Sequence, residues 1–235
     1  MTGAALSIRD VSSGYGGAIV VRHVTLDVAP GEIFALLGKN GMGKTTLLKT
    51  ALGLLPARTG RIGMFGDDVT GLPAYLIARR GIAYSPQEQT LFQDLTVEDN
   101  LRLGLRDDRR VAAEIDRVGQ YFPIIRERRR QRAGTLSGGE QKMLIVSRAL
   151  MAAPRLILID EISEGLQPSM VERLADVLRA ERTRTGAAIL VVEQNVPFAL
   201  SIADRYAVLK LGEIADSGDA ADPSAWQRIQ DHLSV

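Results

Sequence analysis

The sequence predicts an α/β fold with a largely parallel sheet, antiparallel strands at its N-terminus and a helical subdomain inserted into the core. Three observations point there. Ile33-Phe34-Ala35-Leu36-Leu37, Leu156 to Ile159 and Ala187 to Val192 are continuous apolar runs, as expected of strands covered by helices on both faces. The last two flank a segment with helical periodicity. The stretch from about Glu88 to Ala153 contains no buried-strand run at all.

Taken in order, apolar alternation in Leu6, Ile8 and Val11, then in Val24, Leu26 and Val28, reads as two half-buried strands before Pro30-Gly31 turns the chain. The run Ile33 to Leu37 is a central strand, and Gly81 to Ser85 is strand-like. In the middle region Thr96 to Leu105 and Val111 to Phe122 read as helices. Further on, Pro168 suits a first helical turn, and Val171, Leu174 and Leu178 share one helical face. That completes a strand–helix–strand unit, whose right-handed crossover makes the strands parallel and puts functional loops at their carboxyl ends. Asp222-Pro223 is a helix start, with Trp226, Ile229 and Leu233 at helical spacing, in a tail that docks on its own core or meets a partner. The expected organisation is one domain, 1–235, with an α/β core from 1–87 and 154–215, a helical subdomain 88–153 and a tail 216–235.

Of the 235 residues, 46% are hydrophobic and 24% charged, which suits a soluble globular protein and excludes disorder and low-complexity architectures. There is no cysteine, and His23 and His232 are the only histidines. Disulfides and thiolate metal sites are excluded, and zinc or Ser-His-Asp chemistry is disfavoured. The net charge of +1 supplies no global field for nucleic acid. The basic run Arg126-Glu127-Arg128-Arg129-Arg130-Gln131-Arg132 lacks interleaved aromatics and reads as a solvated linker, so no nucleic-acid partner is expected. The N-terminus lacks the basic-then-apolar pattern of a signal peptide, and no stretch of about 18 uncharged apolar residues could span a bilayer. A cytoplasmic protein is the expectation.

Directly after the strand ending at Leu37 comes Gly38-Lys39-Asn40-Gly41-Met42-Gly43-Lys44-Thr45-Thr46, which matches the P-loop pattern G-x-x-x-x-G-K-S/T. The glycines let successive backbone N–H groups turn inward around phosphate oxygens. Lys44 brings a point charge to the β- and γ-phosphates, Thr45 offers a hydroxyl to Mg²⁺, and the following helix adds the partial charge of its N-terminus. A dinucleotide fingerprint fits worse, because Thr46 stands where a third glycine is needed.

The run Leu156 to Ile159 ends in Asp160-Glu161. Asp160 would hold Mg²⁺, usually through water, while Glu161, pointing the other way along an extended strand, could polarise an attacking water. Upstream, Leu136-Ser137-Gly138-Gly139-Glu140-Gln141 precedes an apolar stripe at Met143, Val146 and Leu150. Ser137 and Glu140 have the spacing of a capping box, and the two glycine amides at a helix N-terminus also make a phosphate-binding surface. Both readings can hold together.

A P-loop, a Leu-Ser-Gly-Gly-Glu-Gln signature and a strand ending in Asp-Glu, in this order, resemble the ATP-binding subunit of an ATP-binding-cassette (ABC) transporter from about Leu6 to Ile214. The resemblance implies the ABC ATPase fold on a P-loop NTPase core, with ATP and Mg²⁺ as ligands. It further implies that Tyr15 stacks on adenine, that Gln87 touches Mg²⁺ and relays nucleotide state to membrane subunits, and that Gln194 stands near the γ-phosphate. By the same resemblance the working unit is a dimer, in which Ser137, Gly138, Gly139 and Glu140 of one subunit close over the ATP held by Lys44 of another.

Three positions depart from the general pattern: Ile162 where proline is usual, Gln167 where many members carry aspartate, and Gln194 where most have histidine. Without proline the turn leaving the strand is expected to aim Glu161 less rigidly. Glutamine can donate a hydrogen bond to phosphate but carries no proton charge near neutral pH, so the role of Gln194 is geometric. The segments Val192-Glu193-Gln194-Asn195, Gln131-Arg132-Ala133-Gly134-Thr135 and Gly165-Leu166-Gln167-Pro168 resemble the smaller ATPase subunit of branched-chain amino-acid importers and their urea or amide relatives. That implies a related second ATPase, two membrane permeases and an external solute-binding protein as partners, and a peripheral place at the cytoplasmic face of the membrane. A soluble ABC ATPase outside transport, or a nucleotide-gated dimerisation module with little hydrolysis, are the competing readings.

Overall fold

In the computed structural model, residues 3–87, 91–105 and 107–234 are described. Two sheets and a helical layer account for the architecture. A four-stranded antiparallel sheet has the order β2 (Val21–Val28), β1 (Leu6–Ser13), β4 (Ala57–Met64), β5 (Asp67–Asp68). A six-stranded sheet has the order β10 (Glu213–Asp219), β9 (Arg205–Lys210), β3 (Ile33–Leu37), β8 (Ala188–Glu193), β7 (Leu156–Asp160), β6 (Ile82–Ser85), and only the β9–β10 pair is antiparallel. Strands β3, β7 and β8 are buried along their whole length, which is why they read as unbroken apolar runs. By contrast, β4 and β10 have mixed or polar faces, and periodicity alone gives no sign of them.

The helices are α1 (Lys44–Ala51), α2 (Ala74–Ala78), α3 (Val97–Arg102), α4 (Val111–Tyr121), α5 (Ile124–Glu127), α6 (Gly138–Met151), α7 (Pro168–Thr185), α8 (Val196–Ile202) and α9 (Ala225–Leu233). Helices α3 to α6 form the inserted helical subdomain expected between about 88 and 153; residues 88–90, at its boundary with the core, lie outside the described residues. The Thr96 hydroxyl caps α3 by accepting from Asp99 N, but α3 stops at Arg102, short of the expected Leu105. One apolar cluster joins Ile115 and Val118 of α4, and Phe122 just after it, to Leu144 and Ile145 of α6 and to Leu174 and Leu178 of α7, so the subdomain packs on the core through α7.

Two boundaries shift. The expected tail start at 216 falls inside β10, and the terminal helix begins at Ala225, because the Asp222 carboxylate accepts from Ser224 N and holds a turn there. In α9, Ala225 and Ile229 are buried against Tyr206 and Val208 and Leu233 packs beside them, while Trp226 is exposed. The tail docks on its own core, with Ala225 in the place expected for Trp226.

Candidate functional site

The order β9-β3-β8-β7-β6 brings the carboxyl ends of five parallel strands to one edge, the crevice where open α/β sheets bind ligands. Four of these exits carry a segment singled out from the sequence. The loop 38–43 follows β3, Gln87 follows β6, Glu161 follows β7 and Gln194 follows β8.

Glycine is required in the loop for two different reasons. At Gly43, which precedes α1, φ is 101°, and a Cβ would also press on Val20 and Val21 at 3.3 Å. At Gly38 a Cβ would lie 2.6 Å from the Leu209 carbonyl. Lys39, Asn40 and Gly41 form the exposed tip, and Met42 is half-buried, its sulfur accepting from Leu211 N. Thr46 is buried in the first turn of α1.

Lys44 is held on three sides. Its ammonium donates to the Gly38 carbonyl at 2.7 Å and the Lys39 carbonyl at 2.9 Å, and pairs with Glu161 Oε1 at 2.8 Å. Glu161 Oε2 accepts from the Gln87 amide at 2.8 Å, and the same amide reaches Glu164 at 3.2 Å. Next to Lys44, Thr45 Oγ1 donates to Asp160 at 3.3 Å, and the other Asp160 oxygen accepts from the Tyr84 hydroxyl at 3.3 Å. Burial, and then the neighbouring Glu161 charge, push the Asp160 carboxyl above its ordinary range, although its bonds from Thr45 and Tyr84 and the Lys44 charge pull it back.

Two expectations are corrected here. Strand alternation does not carry past Asp160, because Glu161 adopts a left-handed φ of 47°; both carboxylates therefore face the same loop, one on Thr45 and the other on Lys44. Such a conformation in a non-glycine residue is uncommon and concentrates at functional sites. Nor is Glu161 loosely aimed for want of a proline. Its N–H donates to the Val192 carbonyl at 2.8 Å, and Ile162 is buried in the core, so packing holds the turn.

A threonine hydroxyl, a buried carboxylate and a carboxamide oxygen are hard donors suited to Mg²⁺, which binds through few protein ligands and keeps its waters and phosphate oxygens. No cluster of three or more His, Cys, Asp or Glu that could cage an ion exists among the described residues. The donor set of Thr45, Asp160 and Gln87 thus fits a cation that arrives with a nucleotide.

The remaining predicted residues stand around this centre. Tyr15 is exposed in the loop between β1 and β2, whose Val20 abuts Gly43 and whose carbonyls at Gly16 and Ala18 accept from Arg58. Gln194 is half-buried immediately after β8. Ser137 caps α6 in a complete capping box with Glu140: the Glu140 carboxylate accepts from Ser137 N at 2.8 Å, and Glu140 N donates to Ser137 Oγ at 3.4 Å. The Glu140 carboxylate also faces Arg128 at 3.4 Å. Ser137 and Gly138 are exposed, while Gly139 packs closely on Met170. In the basic run, Arg126, Arg128 and Arg129 are paired with Asp116, Glu140 and Glu98.

Sequence reasoning missed Tyr84, Lys142, Glu193 and the Ser163 that Glu193 binds. Tyr84 bonds Asp160, as above. Lys142 of α6 donates to the carbonyls of Glu161 and Glu164, and its pKa is lowered by burial. Glu193, fully buried at the end of β8, accepts from Ser163 N at 2.9 Å and Ser163 Oγ at 2.8 Å, and burial raises its pKa. The available signal was a lone acidic residue closing an apolar strand, the same pattern that marked Asp160.

A glycine loop leaving a central parallel strand, with its lysine paired to a carboxylate at the end of a neighbouring strand, defines a P-loop nucleotide-hydrolysing domain. The sequence profile described as ABC transporter matches residues 21–164, and the chain belongs to that family as an ATP-hydrolysing subunit. It is 43% identical over 221 residues to the high-affinity branched-chain amino acid transport ATP-binding protein BraG of Pseudomonas aeruginosa, covering 92% of this chain and 94% of that one. A probable branched-chain amino acid transport ATP-binding protein LivF of Archaeoglobus fulgidus is 36% identical, covering 89% and 90%. The lipopolysaccharide export system ATP-binding protein LptB of Escherichia coli is also 36% identical, covering 92% and 90%. Among solved structures, an ATP-binding subunit of an ABC transporter superposes with a TM-score of 0.83 at 27% identity, covering 96% and 94%. A nucleotide-free ATP-binding cassette has a TM-score of 0.85 at 22% identity over 99% and 96%, a likeness of fold.

Proposed function

We propose that this chain is the ATPase subunit of an importer for branched-chain or other hydrophobic amino acids. In this reading it works at the cytoplasmic face of the membrane with a second, related ATPase, two permeases and an external solute-binding protein. The observation that carries the substrate class is the 43% identity to the BraG protein over nearly the full length of both chains. The exporter LptB, at 36%, makes outward transport the second reading. No helix among the described residues is long and apolar enough to cross a membrane.

ATP supplies the phosphoanhydride, and Mg²⁺ bound with it would neutralise phosphate charge. Backbone N–H groups of the loop 38–45 bind the phosphates, and Tyr15, exposed in its loop, stacks on the base. Thr45 and Asp160 would hold the cation together with the amide oxygen of Gln87, whose amide nitrogen is engaged with Glu161 and Glu164. Lys44, in turning from Glu161 towards phosphate, frees Glu161 Oε1 to accept a proton from the attacking water. Ser137 and Gly138 are exposed at the α6 N-terminus, which supports their serving the nucleotide of a second subunit.

The test is affinity purification of the tagged chain from gently solubilised membranes, with mass spectrometry of its companions and uptake of labelled leucine in cells carrying or lacking the gene. A second ATPase, two permeases and gene-dependent uptake are expected. Companions of an export apparatus with unchanged uptake would favour the second reading, and recovery of the chain with only cytoplasmic proteins would remove transport altogether.

A further inference from the structure

Glu193 is fully buried at the carboxyl end of β8, after five apolar residues. Burying a carboxylate is costly unless its oxygens are satisfied, and here both accept from one residue, Ser163, at 2.9 and 2.8 Å. A two-point grip on a backbone N–H and a side-chain hydroxyl fixes orientation as well as distance. Ser163 lies two residues beyond Glu161. The Glu193 carbonyl accepts from Gly38 N at 3.3 Å, where the loop leaves β3, and Gln194 follows Glu193 directly. Three exits thus meet at one side chain and its own peptide unit: the start of the phosphate loop, the turn carrying Glu161, and Gln194.

We propose that Glu193 is a positioning residue for ATP hydrolysis, which clamps Ser163 and so holds the Glu161 turn and Gln194 in one rigid frame against the phosphate loop. Being fully buried, it acts through Ser163 and its own peptide unit. The proposal rests on the reading above, in which Glu161 and Gln194 act at the γ-phosphate. With the clamp released, the phosphate loop and Lys44 keep their own bonds, so nucleotide affinity persists while the alignment of the reacting groups is lost.

The experiment measures kcat and KM for Mg-ATP on the full chain, purified with the subunits that accompany it, as wild type, Glu161→Gln, Glu193→Ala, Glu193→Gln, Ser163→Ala and Glu193→Ala/Ser163→Ala. Glu193→Ala is expected to lower kcat by about 10- to 100-fold, as removal of supporting residues around a reactive centre does, with KM within about threefold. Ser163→Ala, which loses one of the two bonds, falls less. The double variant is no slower than Glu193→Ala, because both act through one contact. Glu193→Gln, which keeps the volume and one acceptor, recovers part of the loss. Full kcat in Glu193→Gln and Ser163→Ala, additive losses in the double variant, or a rise in KM equal to the fall in kcat would overturn the proposal. If Glu193→Ala does not fold, Glu193→Gln and Ser163→Ala decide. Loss of turnover in Glu161→Gln alongside wild-type Glu193 variants refutes the clamp alone, whereas full turnover in Glu161→Gln refutes the site and the clamp with it.

Discussion

The Lys44 ammonium lies 2.8 Å from Glu161 Oε1, and each side chain is 3% exposed. The pair is a buried ion pair shared between the phosphate loop and the β7 exit, so its two members depend on one another before any nucleotide arrives. Lys44→Ala leaves Glu161 a buried carboxylate with the Gln87 amide as its remaining side-chain donor and is expected to destabilise the fold by about 3–5 kcal/mol. Glu161→Gln loses less, because the Gly38 and Lys39 carbonyls still accept from Lys44. Adding Glu161→Gln to Lys44→Ala should restore stability, and urea unfolding without nucleotide measures it. A double variant no more stable than Lys44→Ala would show that the pair is not coupled.

In function the same two substitutions separate. Lys44→Ala is expected to weaken ATP binding and abolish hydrolysis, whereas Glu161→Gln keeps ATP bound and stabilises a nucleotide-dependent dimer with turnover lost. Equilibrium binding of a fluorescent ATP analogue, size-exclusion chromatography and phosphate release distinguish them. Full turnover in either variant would contradict the assigned roles.

Gln194 stands at the β8 exit and carries no titratable group, so its contribution is a hydrogen bond placed by geometry. Gln194→Ala should lower kcat in the assembled complex by about 10-fold or more while ATP affinity stays within about threefold, the pattern of an interaction made mainly in the transition state. Unchanged kcat would sink the idea. A flat kcat between pH 6 and 8 in a Gln194→His background would equally show that the position is silent, since histidine titrates there.

The strands β3, β7 and β8 and the positions of Lys44, Thr45 and Asp160 were legible because each is written locally, as an unbroken apolar run or a glycine-spaced loop. Strand β4 was not, since ARTGRIGM alternates too weakly to show a face, and it is held by pairing with β1 and β5. Helix α3 ends at Arg102, and the close pass of the chain at Gly104, where a Cβ would lie 2.7 Å from the Arg148 carbonyl, is set by another helix. Contacts such as Tyr84 to Asp160 and Glu193 to Ser163 depend on which strands become neighbours, and local periodicity is silent on that. The direction of Glu161 was misjudged for the same reason: strand alternation ended one residue earlier than the motif did.

Glu181 of α7 is fully buried and pairs with Arg117 of α4 at 3.1 Å and Arg184 at 2.6 Å, while Arg117 also donates to the Leu150 carbonyl of α6 at 2.9 Å. This ties the helical subdomain to the core by charge. Removing the carboxylate takes from Arg184 the partner it pairs with, while Arg117 keeps Glu114 and the Leu150 carbonyl and both arginines still reach solvent, so Glu181→Ala should destabilise by about 2–3 kcal/mol, below the loss for a wholly buried pair. Hydrogen exchange should quicken in α4 more than in β3. A change under about 0.5 kcal/mol by urea unfolding, or uniform exchange, would rule out this strap.

Tyr206 of β9 is fully buried among Ala225 and Ile229 of α9, and its hydroxyl donates to Asp216 at 3.0 Å. Burial, and then the Asp216 hydrogen bond and charge, push the phenol up to about 12 from its ordinary 10. A group whose pKa is raised in the fold stabilises it fully below the unfolded value and loses that contribution as pH rises through the folded value. The stabilisation is therefore complete below pH 10 and disappears on approach to pH 12. Asp216 is also bonded to Arg228 of α9, so ionising Tyr206 beside that carboxylate should loosen the terminal helix. Ultraviolet titration is expected to show a late tyrosinate step that coincides with increased Trp226 mobility, and Tyr206→Phe should abolish that step at a stability cost of about 1 kcal/mol. Persistence of the late step in Tyr206→Phe would assign it to another tyrosine and leave α9 without this alkaline release.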